Sequence, residues 1–143
     1  MADVMQTMRK QTVAEDIPML DILRNDAKQR GVNFSNLHAM LKSDIKSGKT
    51  RIMRSGNTLL IYDIMQPGFA ELHISTMDSP EKLVVAVKDL FEAMKKAGYK
   101  KGVSVTDNSQ IARVLNAANI PVSVQQIPGR DGKAEYQLTI QVQ

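Results

Sequence analysis

Phe69-Ala70-Glu71-Leu72-His73-Ile74-Ser75-Thr76 runs through Met77-Asp78-Ser79 into Pro80-Glu81-Lys82-Leu83-Val84-Val85-Ala86-Val87-Lys88-Asp89-Leu90-Phe91-Glu92-Ala93-Met94. The first eight residues alternate. Ala70, Leu72 and Ile74 share one face, and Phe69, Glu71, His73 and Ser75 share the other, which is the period of a strand. After Ser79 the period changes. Leu83, Val84, Val87, Leu90, Phe91 and Met94 recur at helical spacing as one apolar stripe. Ser79 stands at the N-cap position, and Pro80 at the first helical position loses no needed N–H. Gly98 is the stop. A strand therefore feeds a long amphipathic helix through a three-residue turn, the signature of a mixed α/β layer structure.

The same signals recur on both sides of this stretch. Upstream, Met8–Val13 reads as a short strand. Asp16 offers an N-cap, with Pro18 in the first turn of a helix carrying Ile17, Leu20, Leu23 and Ala27 and closed by Gly31. Asn33 or Ser35 starts a second helix with Phe34, Leu37, Leu41 and Ile45 on one face, closed by Gly48. Thr50–Met53 and Thr58–Met65 flank the turn Ser55-Gly56-Asn57, and Pro67-Gly68 makes the next turn. Downstream, Lys101–Thr106 is a strand with alternating Val103 and Val105. Asp107 or Asn108 caps a short helix with Ile111, Val114, Leu115 and Ala118. Pro121–Ile127 and Tyr136–Val142 flank the hairpin loop Pro128–Gly132. The order is β, α, α, β, β, β, α, β, α, β, β. It predicts one α/β domain over residues 8–143, with a largely antiparallel sheet flanked by helices and a flexible tail at 1–7.

The composition fits that reading and removes other classes. The chain has 143 residues, 43% apolar and 24% charged, with no Cys and two His. That length buries roughly 68–70% of the unfolded surface, so no staple is required. Without Cys there is no disulfide, thiolate nucleophile or Cys zinc site, and His38 and His73 are too few for a His-rich metal centre. The longest apolar runs, such as Leu83–Val87, are far too short to span a bilayer, and the N-terminal segment has no apolar core of a signal peptide. No membrane association is expected. Ser47-Gly48-Lys49-Thr50 lacks the first glycine of a P-loop, and Gly-x-Ser-x-Gly is absent.

The net charge is +4, but it is spread along the chain. The one cluster, Lys95, Lys96, Lys100 and Lys101, has only Tyr99 among it and so offers no stacking platform for nucleic acid. It reads better as a helix end whose lysines complement the C-terminal dipole. The nine methionines are read as core filling, with Met5, Met8 and Met19 as the alternative, a patch for a partner.

The order of elements over residues 8–143 resembles the GNAT N-acetyltransferase superfamily. Met8–Pro18 looks like that family's first strand entering its first helix, and Asn108, Ala112 and Leu115 stand in places matching its late helix. The resemblance implies an acetyl-CoA site in a glycine-rich loop after the fourth strand, where backbone N–H groups and a helix N-terminus hold the pyrophosphate. Here that stretch is Thr76-Met77-Asp78-Ser79-Pro80-Glu81-Lys82. It has no glycine, Pro80 lacks a donor, and Asp78 and Glu81 bring negative charge. A like-charge contact at about 4 Å costs on the order of 4 kcal/mol at an effective dielectric of 20. The Tyr that often protonates the leaving thiolate in the family is matched by Asn116, which cannot act as that acid.

The stretch Thr106–Leu115 also looks like GNAT-like virion-associated proteins of short-tailed phages. Together these imply a non-catalytic structural or interaction protein, a virion component of a tailed phage, with no cofactor and no metal. Its partners would be other proteins of a larger assembly in a virion or host cytoplasm. They would be met through the Met-bearing tail 1–8 and the cleft near Leu72 and Val103. The alternative is an active N-acetyltransferase that uses acetyl-CoA. Glu71 and His73, which share a strand face, would then be its proton-transfer pair, and Met77, Asp78, Ser79 and Lys82 would be its cofactor contacts.

Overall fold

The computed structural model describes residues 17–106, 110–129 and 134–143. Helix α1 (Met19–Arg30) and helix α2 (Phe34–Lys46) come first, followed by β1 (Thr50–Ser55), β2 (Thr58–Gln66) and β3 (Phe69–Thr76). Then come α3 (Pro80–Lys96), β4 (Lys101–Thr106), α4 (Gln110–Ala117), β5 (Val122–Pro128) and β6 (Ala134–Gln141). The strands form one six-stranded sheet in the order β1-β2-β3-β4-β6-β5. Every neighbouring pair is antiparallel except β3 and β4, which are parallel and joined by the crossover helix α3.

The caps follow local chemistry. Asn33 accepts the Asn36 N–H at 3.0 Å, which selects Asn33 over Ser35 as the start of α2. Gly31 closes α1 at φ 69°, a left-handed backbone that glycine adopts without a Cβ penalty. Pro18 is itself the N-cap of α1 rather than part of its first turn. The strand expected over 8–13, the tail at 1–7, and the caps offered by Asp16, Asp107 and Asn108 lie outside the described residues. Ser79 occupies the N-cap position of α3, but its side chain makes no capping bond.

Two apolar cores lie on opposite faces of the sheet. Helices α1 and α2 pack Ile22, Leu23, Ala27, Leu37 and Leu41 against Leu59 and Ile61 of β2. On the other face, α3 and α4 pack Leu83, Val87, Leu90, Phe91, Met94, Ala112 and Leu115 against Leu60, Tyr62, Leu72, Leu138 and Ile140. Strand β2 is thus buried on both faces from Thr58 to Tyr62. The apolar stripe of α3 is oriented as its spacing predicts.

Two expectations are corrected. In β4 the inward residues are Gly102 and Ser104, while Val105 is 52% exposed. The neighbouring strand supplies the missing volume: a Cβ on Gly102 would lie 2.4 Å from Leu72 Cδ1, so the Leu72 side chain already fills that space. Core filling describes Met94, which is fully buried, but Met40, Met65 and Met77 are exposed.

Candidate functional site

Strand β3 carries the site. Its alternation turns Ala70, Leu72 and Ile74 toward α3 and presents Glu71 and His73 on the face covered by α1 and α2. There they line a cavity of about 240 Å³ together with Asp26 and Arg30 of α1, Asp44 of α2 and Asp63 of β2. Its apolar wall includes Met40 of α2 and Val105 of β4. The structure therefore brings Glu71 and His73 into one space. It turns His73 to the helix above: His73 Nε2 lies 3.1 and 3.2 Å from the two carboxylate oxygens of Asp26. Arg30 Nη1 donates to Asp26 at 3.0 Å and sits 3.4 Å from His73 Nε2.

Asp26 is only 8% exposed. Burial alone would raise its pKa. The hydrogen bond and charge of His73, followed by those of Arg30, outweigh that and hold the carboxyl below its ordinary value. Asp63 stands directly across from both Thr50 and Glu71 in the sheet register and accepts a hydrogen bond from the Thr50 hydroxyl. The cavity thus gathers four carboxylates against one guanidinium and one imidazole, an environment that favours cationic groups. Asp26, Arg30 and Asp63 are not among the site residues that the sequence suggests. A signal for the first two exists: Asp26 falls within the apolar stripe of α1 beside Ile22, Leu23 and Ala27, and Arg30 follows it by one helical turn.

The second site expected from the sequence is the loop from β3 into α3. Two of its N–H groups are already used within the chain. Met77 N donates to Asn57 O at 3.0 Å, and Asp78 N donates to Thr76 Oγ1 at 3.0 Å. The Asp78 carboxylate reaches back to the β1–β2 turn, where Oδ2 accepts from Asn57 N at 3.0 Å and from Thr58 Oγ1 at 2.8 Å. Gly56 makes room for it. At φ 57° its backbone is left-handed, and a Cβ there would stand 3.1 Å from Asp78 Oδ2. Asn57 extends the network, since its Oδ1 accepts from Ile17 N and from Arg54 Nη2. Ser79 and Lys82 follow on the exposed start of α3.

These residues do not fit a diphosphate. A carboxylate already occupies the turn, two N–H groups are spent, and Pro80 has none to offer. A flanking opening does exist. The parallel pairing of β3 with β4 runs through Phe69↔Lys101, Ala70↔Gly102 and Glu71↔Val103 and stops there, so the two strands part beyond Glu71. Val103 is therefore paired rather than a free edge. Asn116 is exposed on α4, and Lys95, Lys96, Lys100 and Lys101 are all exposed at the far end of α3 and the start of β4. No helix among the described residues is long and apolar enough to cross a membrane.

The sequence matches no protein-family profile and no curated protein. Its fold is nevertheless shared with solved acetyltransferases. An aminoglycoside 6'-acetyltransferase type Ii superimposes with a TM-score of 0.61 at 11% identity, over 96% of this chain and 92% of that one. A spermidine N-acetyltransferase variant from Vibrio cholerae gives 0.62 at 11%, over 88% and 92%. A chain from Desulfovibrio desulfuricans assigned to the GNAT family gives 0.60 at 10%, over 89% and 95%. At this identity the likeness is one of architecture: the chain has the GNAT N-acetyltransferase fold as a single α/β domain.

Proposed function

We propose that the chain is a GNAT-fold interaction protein that works by contact with other proteins of a larger assembly and not by acetyl transfer. One observation carries this reading. The Asp78 carboxylate ties the loop between β3 and α3 to the β1–β2 turn, where the fold's acetyltransferases would need free N–H groups for a diphosphate. A tailed-phage particle is the assembly that the Thr106–Leu115 stretch points to. A retained fold says nothing by itself about a retained reaction, so the loop and not the architecture bears the argument.

Calorimetry with acetyl-CoA tests it. The expected result is no binding in the micromolar range. A dissociation constant near 10 μM, about −7 kcal/mol, overturns the reading.

A second reading is favoured by a specific feature, the cavity that holds Glu71 and His73 beside the parted strands. Under it the chain is an N-acetyltransferase acting on a cationic amine. Incubation with acetyl-CoA and a panel of polyamines and lysine peptides, read by mass spectrometry, distinguishes the two. Acetylated product that disappears in Glu71→Gln would establish the second reading.

A further inference from the structure

Strands β1, β3 and β4 run the same way, so the starts of all three lie at one end of the sheet. Helix α2 leads into β1 and α3 leads into β4, and both helices therefore finish at that end. The last turn of α2 carries Lys46, and Lys49 follows just before β1. The last turn of α3 carries Lys95 and Lys96, and Lys100 and Lys101 follow. The sheet ties the two groups together. Lys49 O accepts the Ile64 N–H at 3.1 Å, Ile64 pairs with Ala70, and Ala70 pairs with Gly102, the neighbour of Lys101. Lys100 and Lys101 donate their main-chain N–H groups to Gly68 O in the β2–β3 turn. All six lysines are exposed.

The fold itself does not use these charges. Among the described residues, none of the six lysines forms an ion pair. Asp63 accepts from Thr50 instead, Asp44 and Glu71 line the cavity, and Glu92 is exposed on α3 one turn before Lys96. A helix dipole accounts for a lysine in a last turn. Yet the carbonyls that end α3 already have partners: Lys95 O accepts from Gly98 N and Gln143 Nε2, and Met94 O accepts from Tyr99 N. Lys49, Lys100 and Lys101 lie beyond either helix.

We propose that this end of the sheet is a contact surface for the phosphate backbone of double-stranded nucleic acid, held without regard to sequence. Lysines supply point charges that neutralise phosphates and read no base. Tyr99, the aromatic residue among them, is buried edge-on against Tyr62 and offers no ring for an unpaired base to stack on, which favours a duplex over a single strand. Three strand spacings separate Lys49 from Lys101, roughly 14–15 Å. That is close to the roughly 12 Å width of a major groove, so the two groups face the two phosphate rows that flank it. An anionic membrane would attract the same charge, but the turn between the groups, Met65-Gln66-Pro67, offers it one large apolar side chain. The opposite end, at the β3–α3 loop, carries Asp78 and Glu81 beside Lys82, so the charge is placed and not merely in excess. The surface lies away from that loop and does not depend on what the loop binds.

Fluorescence anisotropy with a labelled DNA duplex of arbitrary sequence tests this, with salt varied over about 50–200 mM. Four to six phosphate contacts predict a slope of log K against log salt on the order of −4 to −5. Lys95→Gln with Lys96→Gln should make the slope shallower by about 2, and so should Lys46→Gln with Lys49→Gln. Lys28→Gln with Lys88→Gln removes the same net charge from exposed positions elsewhere and should leave the slope unchanged. All three variants should keep the parent's thermal unfolding. Three results overturn the proposal: no binding at the lowest salt with the chain at about 100 μM, a control variant that flattens the slope as much as the others, or a slope that only the α3 pair alters. Cosedimentation with phosphatidylserine vesicles that is lost in both lysine variants, in the absence of duplex binding, would assign the surface to a membrane instead.

Discussion

Replacing Asp78 with Ala removes the carboxylate that joins the β3–α3 loop to the β1–β2 turn. Two hydrogen bonds disappear, from Asn57 N at 3.0 Å and from Thr58 Oγ1 at 2.8 Å. Hydrogen bonds to a charged group contribute about 1.5–3 kcal/mol each when both partners are buried. Asp78 is half-buried, and water can reach the turn once the side chain is gone. About 1 kcal/mol each is the better figure. A negative charge just before α3 adds roughly 0.3–1 kcal/mol through the helix dipole. The sum is about 2–3 kcal/mol, and in a domain of this size 1 kcal/mol moves Tm by about 2–4 °C. The expected drop is therefore about 5–10 °C, measured by thermal unfolding with circular dichroism. Asp78→Asn, which keeps an acceptor oxygen, should lose about half as much. A melting temperature within about 1 °C of the parent for Asp78→Ala would show that the loop is held by something else. The case against a diphosphate at this place would then lose its main support.

Three further tests concern other parts of the molecule. Leu90→Ala, in the core under α3, should cost about 2–5 kcal/mol, while Lys88→Ala on the exposed side should stay within about 0.5 kcal/mol; equal costs in urea unfolding would mean the helix is rotated. Gly102→Ala forces a methyl against Leu72 Cδ1, so overpacking should cost about 1–3 kcal/mol, and the penalty should shrink in a Leu72→Ala background; an undiminished penalty would place its origin elsewhere. Asp26 has a depressed pKa, so its pairing with His73 and Arg30 stabilises the fold above its unfolded value of about 4 and is lost as pH falls through the lower folded value. The Tm gap between the parent and Asp26→Asn should therefore be open near neutrality and close in strong acid, and a gap independent of pH would refute the assignment.

Features that depend on chain-local chemistry were legible from the sequence. The β3 boundaries, the α3 stripe, the Gly31 and Gly98 stops and the Asn33 cap each rest on residues within one turn of one another. What escaped depends on distant partners. Val103 and Val105 alternate as core residues would, yet the face of β4 turned to α3 and α4 carries Gly102 and Ser104, where Leu72, thirty residues earlier, fills the space over Gly102, and Val105 lines the cavity on the other face. The cavity's Glu71 and His73 could be placed on one face by counting. Their neighbours could not, because Asp26 reaches His73 across 47 positions. The acidic loop was visible as a departure from the family pattern. That Asp78 is spent on Asn57 and Thr58 became visible only once the β1–β2 turn stood beside it.

The parallel contact of β3 with β4 spans only Phe69–Glu71 against Lys101–Val103. It is the line along which the sheet's first three strands meet its last three. All pairings within β1-β2-β3, and all within β4-β6-β5, are longer. The molecule therefore has a seam. Amide exchange under native conditions should separate into two cooperative blocks that open with different free energies, with α3 bridging them. The first half is an antiparallel meander of sequence-near strands, quick to form alone. In the second only the β5–β6 hairpin is local, because β4 meets β6 across α4 and β5. Placing β4 between β3 and β6 is therefore the non-local step that sets the pace of folding.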